Sequence, residues 1–481
     1  MDETKKTSEA DKTDGKVDKT VLTSKFGIRH LTVGLLFLGT LVGYASRVIL
    51  SVTVVAMLKN ETGFPSFDWD KQRVEGLVLS SFFWGYAAGQ LPCGILIQHY
   101  GTRWPLLGAM TISSVCLLLL PVSAVTGDWM ATCAIRVLQG FSQGALFPAL
   151  YSAIAKWTPL QERGRLASII FTGSHFGTII AFPAAGFLIT GPGGWPSVFY
   201  VFGSVGLAWC VLWYFLGYTS PPEHPFISKE EILYIEASLS NRSSDKLKTP
   251  WREIFTSIPI WALLVAQSAQ NFGFWTLLGE IPTYFDAVMG FNMQNNGLLS
   301  TLPYLTMAGL CFTFGRMADL FFEKNLMSVV TSRKLFNTLG FWTPAVALAA
   351  LGFVNKEQHT LGVVLLVVAV GFNAASYTGF GLVHMDLSPN FASIIMGLCN
   401  SASNVFSTVG TLLADSIIRA DKTSTSNWQI VFSVTAATFF FGNVFFLLFG
   451  KVDRQPWNDA DYNRQKWEDT RNSLPMLDKK V

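Results

Sequence analysis

PLLGAMTISSVCLLLLPVSAVT (105–126) is followed, after two residues, by WMATCAIRVLQGFSQGALFPALYSAIA (129–155). The first run holds no charged residue and the second holds only Arg136. Each has the length, roughly 20 residues, that crosses a hydrocarbon core of about 30 Å as a helix. Two such runs joined by so short a break read as a hairpin of membrane-spanning helices, because a helix satisfies its own backbone where no water can.

Working outward, further apolar runs lie near 30–58, 76–98, 165–190 and 197–217. A polar segment with Pro221, Pro222 and the charges from Glu223 to Arg252 then interrupts the pattern. Apolar runs resume near 257–288, 297–322, 334–353, 360–386, 390–418 and 428–450. The reading is an all-α membrane protein with twelve transmembrane helices in two six-helix halves. Its parts are a disordered tail over 1–29, a half over 30–217, a central loop over 218–256, a half over 257–450 and a second tail over 451–481.

Composition agrees. Half of the 481 residues are hydrophobic and 14% are charged, too few polar side chains to coat a water-soluble globule of this size. A net charge of +3, dispersed among apolar runs, excludes a nucleic-acid partner. The six cysteines all sit in apolar stretches without paired spacing, which argues against a disulfide framework or a metal site. The first 25 residues have no apolar run to serve as a signal peptide, so the tail is expected to be retained.

Lys and Arg collect in alternate connections: Lys5 to Arg29, Arg103, Lys156 to Arg165, Lys229 to Arg252, Lys324 to Lys334, and Lys451 with Arg454. The positive-inside bias makes that face cytoplasmic and puts both termini on it. The first opposite connection carries the sequon Asn60-Glu61-Thr62, a glycosylation acceptor. The second sequon, at Asn241, would face the cytosol and stay bare. The halves also echo each other, with Gly94 and Gln98 ending the second span and Gly315 and Asp319 ending the eighth. Repeats around a midplane site are a mark of transporters.

Two arginines carry the chemistry. Arg47 stands twelve residues before Lys59, and Arg136 seven after Trp129. These spacings put them about 18 Å and 10 Å inside their spans at 1.5 Å per residue. A buried Arg costs about 2.5 to 3.5 kcal/mol on an insertion scale, so it faces a cavity, an acid or a substrate. Paired guanidinium forks suit a carboxylate or phosphate, both of which offer two oxygens side by side. His175 and Glu280 are further titratable groups within spans and candidates for proton exchange. At the cytoplasmic helix ends, Arg103, Arg165, Asp319 and Arg333, with Gly94, are expected to gate the two halves. One enzyme-like string, Gly140 to Gly144, spells GxSxG but lies inside a continuous helix, where two glycines four apart make a packing face. An enzyme is not expected.

Longer strings are familiar: SSFFWGY (80–86), RVLQG (136–140), KWTPLQERGRL (156–166), GLLSTLPYLTM (297–307), SRKLFNTLGFW (332–342), HMDLSPNFA (384–392) and FGKVDRQPWN (449–458). From about residue 30 to 460 the chain resembles the major facilitator branch of sialin, the vesicular glutamate transporters and the type I sodium-phosphate cotransporters. It is most similar to the insect members described as inorganic phosphate cotransporters. The resemblance implies a twelve-helix alternating-access carrier in which Arg47 and Arg136 handle the anion, with Tyr86 of SSFFWGY completing the substrate set. Sialin and the glutamate transporters have an acid seven places after the fourth-helix Arg, linked to proton coupling; this chain has Gln143 there, and Gln139 is neutral too. Leu79 and Gln270 stand where glutamate transporters carry a His and an Arg. The departures favour the phosphate-cotransporter subgroup over glutamate loading. The implied function is transport of a small organic or inorganic anion, driven by sodium, protons or membrane potential. The alternatives are a proton-coupled exporter of acidic sugars or amino-acid anions and, from another class, an anion channel. No cofactor is expected beyond Na+ or H+ as coupling ion. The expected setting is a monomer in a plasma or endolysosomal membrane, with the substrate and the bilayer as its only partners.

Overall fold

Residues 26–58, 64–67, 73–239, 248–289, 293–354, 358–418, 421–459 and 462 are described by a computed structural model. Asn60, Asn241 and most of both tails lie outside the described residues.

The first half opens with α1 (Ile28–Met57) and α2 (Arg73–Tyr100). The run quoted first is a single 41-residue helix, α3 (Arg103–Gln143), broken in its middle at Asp128, where φ is 54° and ψ is −155°. That left-handed residue turns the chain back, so α3 contains the third span and the outer part of the fourth. The fourth span is finished by α4 (Leu146–Trp157), and α5 (Arg163–Thr190) and α6 (Gly194–Leu216) complete the half. The central loop holds α7 (Lys229–Leu239) and α8 (Trp251–Thr256). The second half comprises α9 (Ile258–Ala287), α10 (Met293–Glu323), α11 (Val329–Leu351), a tenth span in three pieces, α15 (Ala392–Ile418) and α16 (Thr425–Phe449). The three pieces are α12 (His359–Phe372), α13 (Ala375–Thr378) and α14 (Phe380–Leu387). Twelve spans result among the described residues, within a few residues of those predicted, and the start of α1, where Arg29 meets Glu162, lies at the same end of the bundle as Gln455, which meets Leu387.

Among the described residues, seven helical segments are long and apolar enough to cross a membrane, and one of these, Arg103–Trp157, contains two spans. The others, α2, α9, α11 and α15, are less apolar because they turn polar faces inward: Gln90, Gln267, Gln270, Asn337, Asn400, Ser403 and Asn404 are all buried. The outside is the reverse. Leu119, Val125, Phe187, Phe215, Val346, Leu412, Phe441 and Leu448 are exposed on the bundle surface. An oily exterior around a polar interior suits lipid as the surrounding solvent.

Glycines set how closely the helices meet. A Cβ on Gly85 or Gly89 would overlap the carbonyl of Val137 or Phe141, and one on Gly140 would overlap that of Phe82. The GxSxG string is therefore half of a packing face between α2 and the fourth span, as small-xxx-small spacing implies. The halves meet where α5 lies on α10 and α2 on α15, with α4 against α14 and α15. Small residues bring these helices together too. A Cβ on Gly94 would stand 2.7 Å from the Ser393 carbonyl, and one on Gly164 would stand 2.8 Å from that of Gly315.

Candidate anion site and the gate beneath it

Arg47 on α1 is 5% exposed and Arg136 on α3 is 2% exposed. Aromatic rings surround the first: its Cζ lies 4.7 Å from the ring centre of Tyr44, 4.9 Å from that of Phe82 and 4.2 Å from that of Tyr86. Phe82 also carries Arg136, again with 4.9 Å between Cζ and ring centre. Ring faces attract cations, and more strongly when water is excluded. They accept no hydrogen bond in the plane of the guanidinium, however. Arg47 Nε and Nη2 and Arg136 Nε are buried without an acceptor. Arg136 Nη1 donates to Gln139 Oε1 at 2.8 Å, and its Nη2 donates to the Arg47 carbonyl at 3.4 Å. Neither arginine is ion-paired to a carboxylate among the described residues. Two like charges thus share one water-poor site with donors left over.

Gln143 lies on the same side of the fourth span, but its amide nitrogen is already engaged, while Oε1 is buried without a partner. Nε2 donates to Ser46 Oγ at 2.7 Å and to Ser113 Oγ at 2.9 Å, tying α3 to α1. His175 on α5 is 6% exposed, with Nε2 unpartnered and its ring 6.0 Å from that of Tyr377 across the interface between halves. It faces the central interior. Glu280 lies near the far end of α9, where its charged neighbours are Asp415 and Lys422. The structure does not bring it to the arginines.

The expected gate residues divide. Asp319 on α10 crosses between the halves, accepting from the backbone N–H groups of Gly164 and Arg165 at 2.8 Å each. A carboxylate there caps the start of α5 and is favoured by the helix dipole. Arg165 takes part through that backbone group, while its side chain reaches Glu162 at 3.4 Å. Arg333 on α11 donates through Nε to Asp386 Oδ2 at 2.8 Å. Arg103 stays within its own half: Nη2 donates to the Tyr214 carbonyl at 2.8 Å and its Cζ lies 4.2 Å from the Tyr218 ring centre. Two charged residues at this boundary are not apparent from the sequence alone, Arg163 and Asp386. They join across the halves at 3.2 Å and are 2% and 7% exposed. Asp386, between Met385 and Leu387, is a charge among apolar neighbours, a signal that could have found it, whereas Arg163 stands beside Glu162 and two residues from Arg165, where nothing local marks it.

The central site continues into the second half. Asn400 Nδ2 donates to the Tyr86 hydroxyl at 3.3 Å, and Gln267 Nε2 donates to Asn400 Oδ1 at 3.0 Å. Gln270, where glutamate transporters carry an Arg, donates to Asn373 Oδ1 at 3.1 Å.

Three comparisons bear on this arrangement. The profile of the Major Facilitator Superfamily matches residues 36–411. A Drosophila ananassae protein named "Putative inorganic phosphate cotransporter" is 35% identical over 461 residues, covering 90% of this chain and 94% of its own. Human vesicular glutamate transporter 2 is 35% identical over 454 residues, covering 91% of this chain and 76% of its own. Among solved structures, the proton:xylose symporter XylE superposes with a TM-score of 0.68 over 92% of this chain and 99% of that one at 15% identity, a likeness of fold. By profile, by sequence and by architecture the chain belongs to the major facilitator superfamily, beside the inorganic phosphate cotransporters and vesicular glutamate transporters.

Proposed function

We propose that this protein is a secondary active transporter that moves a small organic or inorganic anion by alternating access, with Arg47 and Arg136 as the anion's seat. One observation carries the reading: two buried guanidiniums, with no carboxylate partner among the described residues, still present unused donors beside Tyr86. A buried cation without a counter-charge is strongly disfavoured, and a carboxylate or phosphate would supply both charge and paired oxygens. The names of the relatives, a phosphate cotransporter and a glutamate transporter, fit an anionic cargo. The two halves rock about this seat, and the Asp319 and Asp386 contacts break when the end bearing Arg29 and Gln455 opens. That end is the cytoplasmic one, and Asn60 is glycosylated on the other side. An endoglycosidase shift in wild type that disappears in Asn60→Gln tests the orientation. Coupling is to sodium, protons or membrane potential.

Uptake of labelled phosphate and gluconate into proteoliposomes under imposed ion gradients tests the function. Arg47→Lys keeps the charge but loses the planar fork, and uptake should fall by at least tenfold at unchanged expression, about 1.4 kcal/mol. Wild-type rates in the lysine variant would remove Arg47 from the seat.

A further inference from the structure

Tyr86 is the near end of a hydrogen-bonded line that runs from the arginines toward the gate. Asn400 meets its hydroxyl, Gln267 meets Asn400, and Gln267 Oε1 lies 2.8 Å from His384 Nε2 on α14. The other ring nitrogen of His384, Nδ1, lies 3.3 Å from the Gly381 carbonyl. All four side chains are at least nine-tenths buried, and His384 is fully so. The Tyr86 end touches the anion seat, with 4.2 Å between the ring centre and Arg47 Cζ. The His384 end is two residues from Asp386.

The line has a direction. As oriented, each amide donates toward Tyr86, so His384 must donate from Nε2 to Gln267. Its Nδ1 also faces a carbonyl, and a ring that donates from both nitrogens is an imidazolium. Turning both amides over, an exchange of nearly identical atoms, suits the neutral ring. Nδ1–H then donates to Gly381, and Nε2 accepts from Gln267. Asn400 donates to Gln267, and the Tyr86 hydroxyl donates to Asn400. Each protonation state of His384 therefore has one arrangement in which every link from His384 to Tyr86 is a hydrogen bond. They differ in what Tyr86 has left: in the neutral state its proton is spent on Asn400, and in the protonated state its hydroxyl is free to donate.

We propose that His384 couples proton to anion. Uptake of one proton at His384 reverses the Gln267–Asn400 line and releases the Tyr86 hydroxyl to donate to the anion held by Arg47, so that the two bind together. No proton travels along the line; two amides rotate. The charged and titratable groups around His384 are few. From α4, Tyr151 faces it with ring centres 4.9 Å apart. On its own helix Asp386 is held between Arg163 of α5 and Arg333 of α11. Tyr377 of α13 and Cys399 of α15 lie behind Tyr151, and His175 of α5 lies beyond Tyr377. Among the described residues of α9 it meets the neutral Gln267.

The inference rests on the anion seat, and the experiment separates the two. Gluconate binding to the purified full chain is measured by calorimetry from pH 5.5 to 8, a range in which a carboxylate stays ionised. With one linked proton, wild-type affinity should rise as pH falls, by up to tenfold per unit above the titration of His384, and then level off. His384→Gln should bind with no slope. Tyr86→Phe keeps the imidazole and should lose the slope as well, which an imidazolium acting by charge alone would not. Asn400→Leu breaks the line elsewhere and should match Tyr86→Phe, which guards against a misfolded histidine variant. A slope that survives in His384→Gln or in Tyr86→Phe overturns the coupling. Gluconate binding that persists in Arg47→Ala overturns the anion seat itself, and failure of both gluconate and sulfate to bind wild type at any pH overturns both.

Discussion

Replacing Asp386 by Asn tests whether the charged contacts at the end bearing Arg29 and Gln455 hold the halves together. The substitution keeps the volume and removes the charge between Arg163 and Arg333. At the 3.2 Å of the Arg163 contact, attraction amounts to about 5 kcal/mol at an effective dielectric of about 20. Desolvation offsets part of it, and breaking one member of a buried pair costs roughly 3–5 kcal/mol net. Only the Arg163 arm crosses between halves, so we take the lower figure, about 3 kcal/mol, or roughly 150-fold in the ratio of closed to open. Spin labels at Tyr100→Cys and Leu326→Cys, exposed positions on opposite halves, report that ratio as a distance distribution. The native cysteines are buried or half-buried and compete poorly for the label. Asp386→Asn should move most molecules to the longer distance and change the uptake rate more than the affinity, since Asp386 does not touch the anion seat. An unchanged distribution together with an unchanged rate would refute the gate.

Two further substitutions probe the same surface. Gly94→Val places a Cβ 2.7 Å from the Ser393 carbonyl, which is backbone and cannot step aside; overpacking of about 1–3 kcal/mol should separate the same label pair, and a wild-type distribution would show that α2 and α15 are not in tight contact. Glu231→Gln weakens the cap that α7 supplies to α1, where the carboxylate accepts from Ile28 N at 2.9 Å and Arg29 N at 3.1 Å and pairs with Arg29 Nη1 at 3.0 Å. The loss of about 1–3 kcal/mol should expose α7 to trypsin at Lys229, and equal protection in both proteins would mean that other contacts hold α7.

The spans were legible because lipid demands long apolar runs, and that demand is local in sequence. Arg47 and Arg136 were legible for the opposite reason, as charges where charge is expensive. The rest depends on which helix faces which. Gln267, His384 and Asn400 come from three helices, and no periodicity says that their side chains meet. Asp386 has one partner 223 residues away in Arg163. Arg103 shows the converse, since its place at a helix end suggested the boundary between halves while its guanidinium turns back to Tyr214 and Tyr218. The break in the tenth span was also hidden, because Gly379, whose ψ of −113° leaves the helix, sits in a run that reads as continuous.

That break, at Gly379 between α13 and α14, bears on how the protein could be inhibited. An intact helix moves as a rod, so a wedge at one end is felt at the other. A rod cut along its length transmits little torque, and the short piece α14 can be pinned while Arg47 and Arg136, which stand on other helices, keep their place. A compound lodged in the cleft between Leu160, Asp319, Phe322 and Asp386 would therefore lower the maximal rate and leave the half-saturating anion concentration nearly untouched. Added cargo would not relieve such a block, whereas a compound seated on Arg47 would be displaced by it.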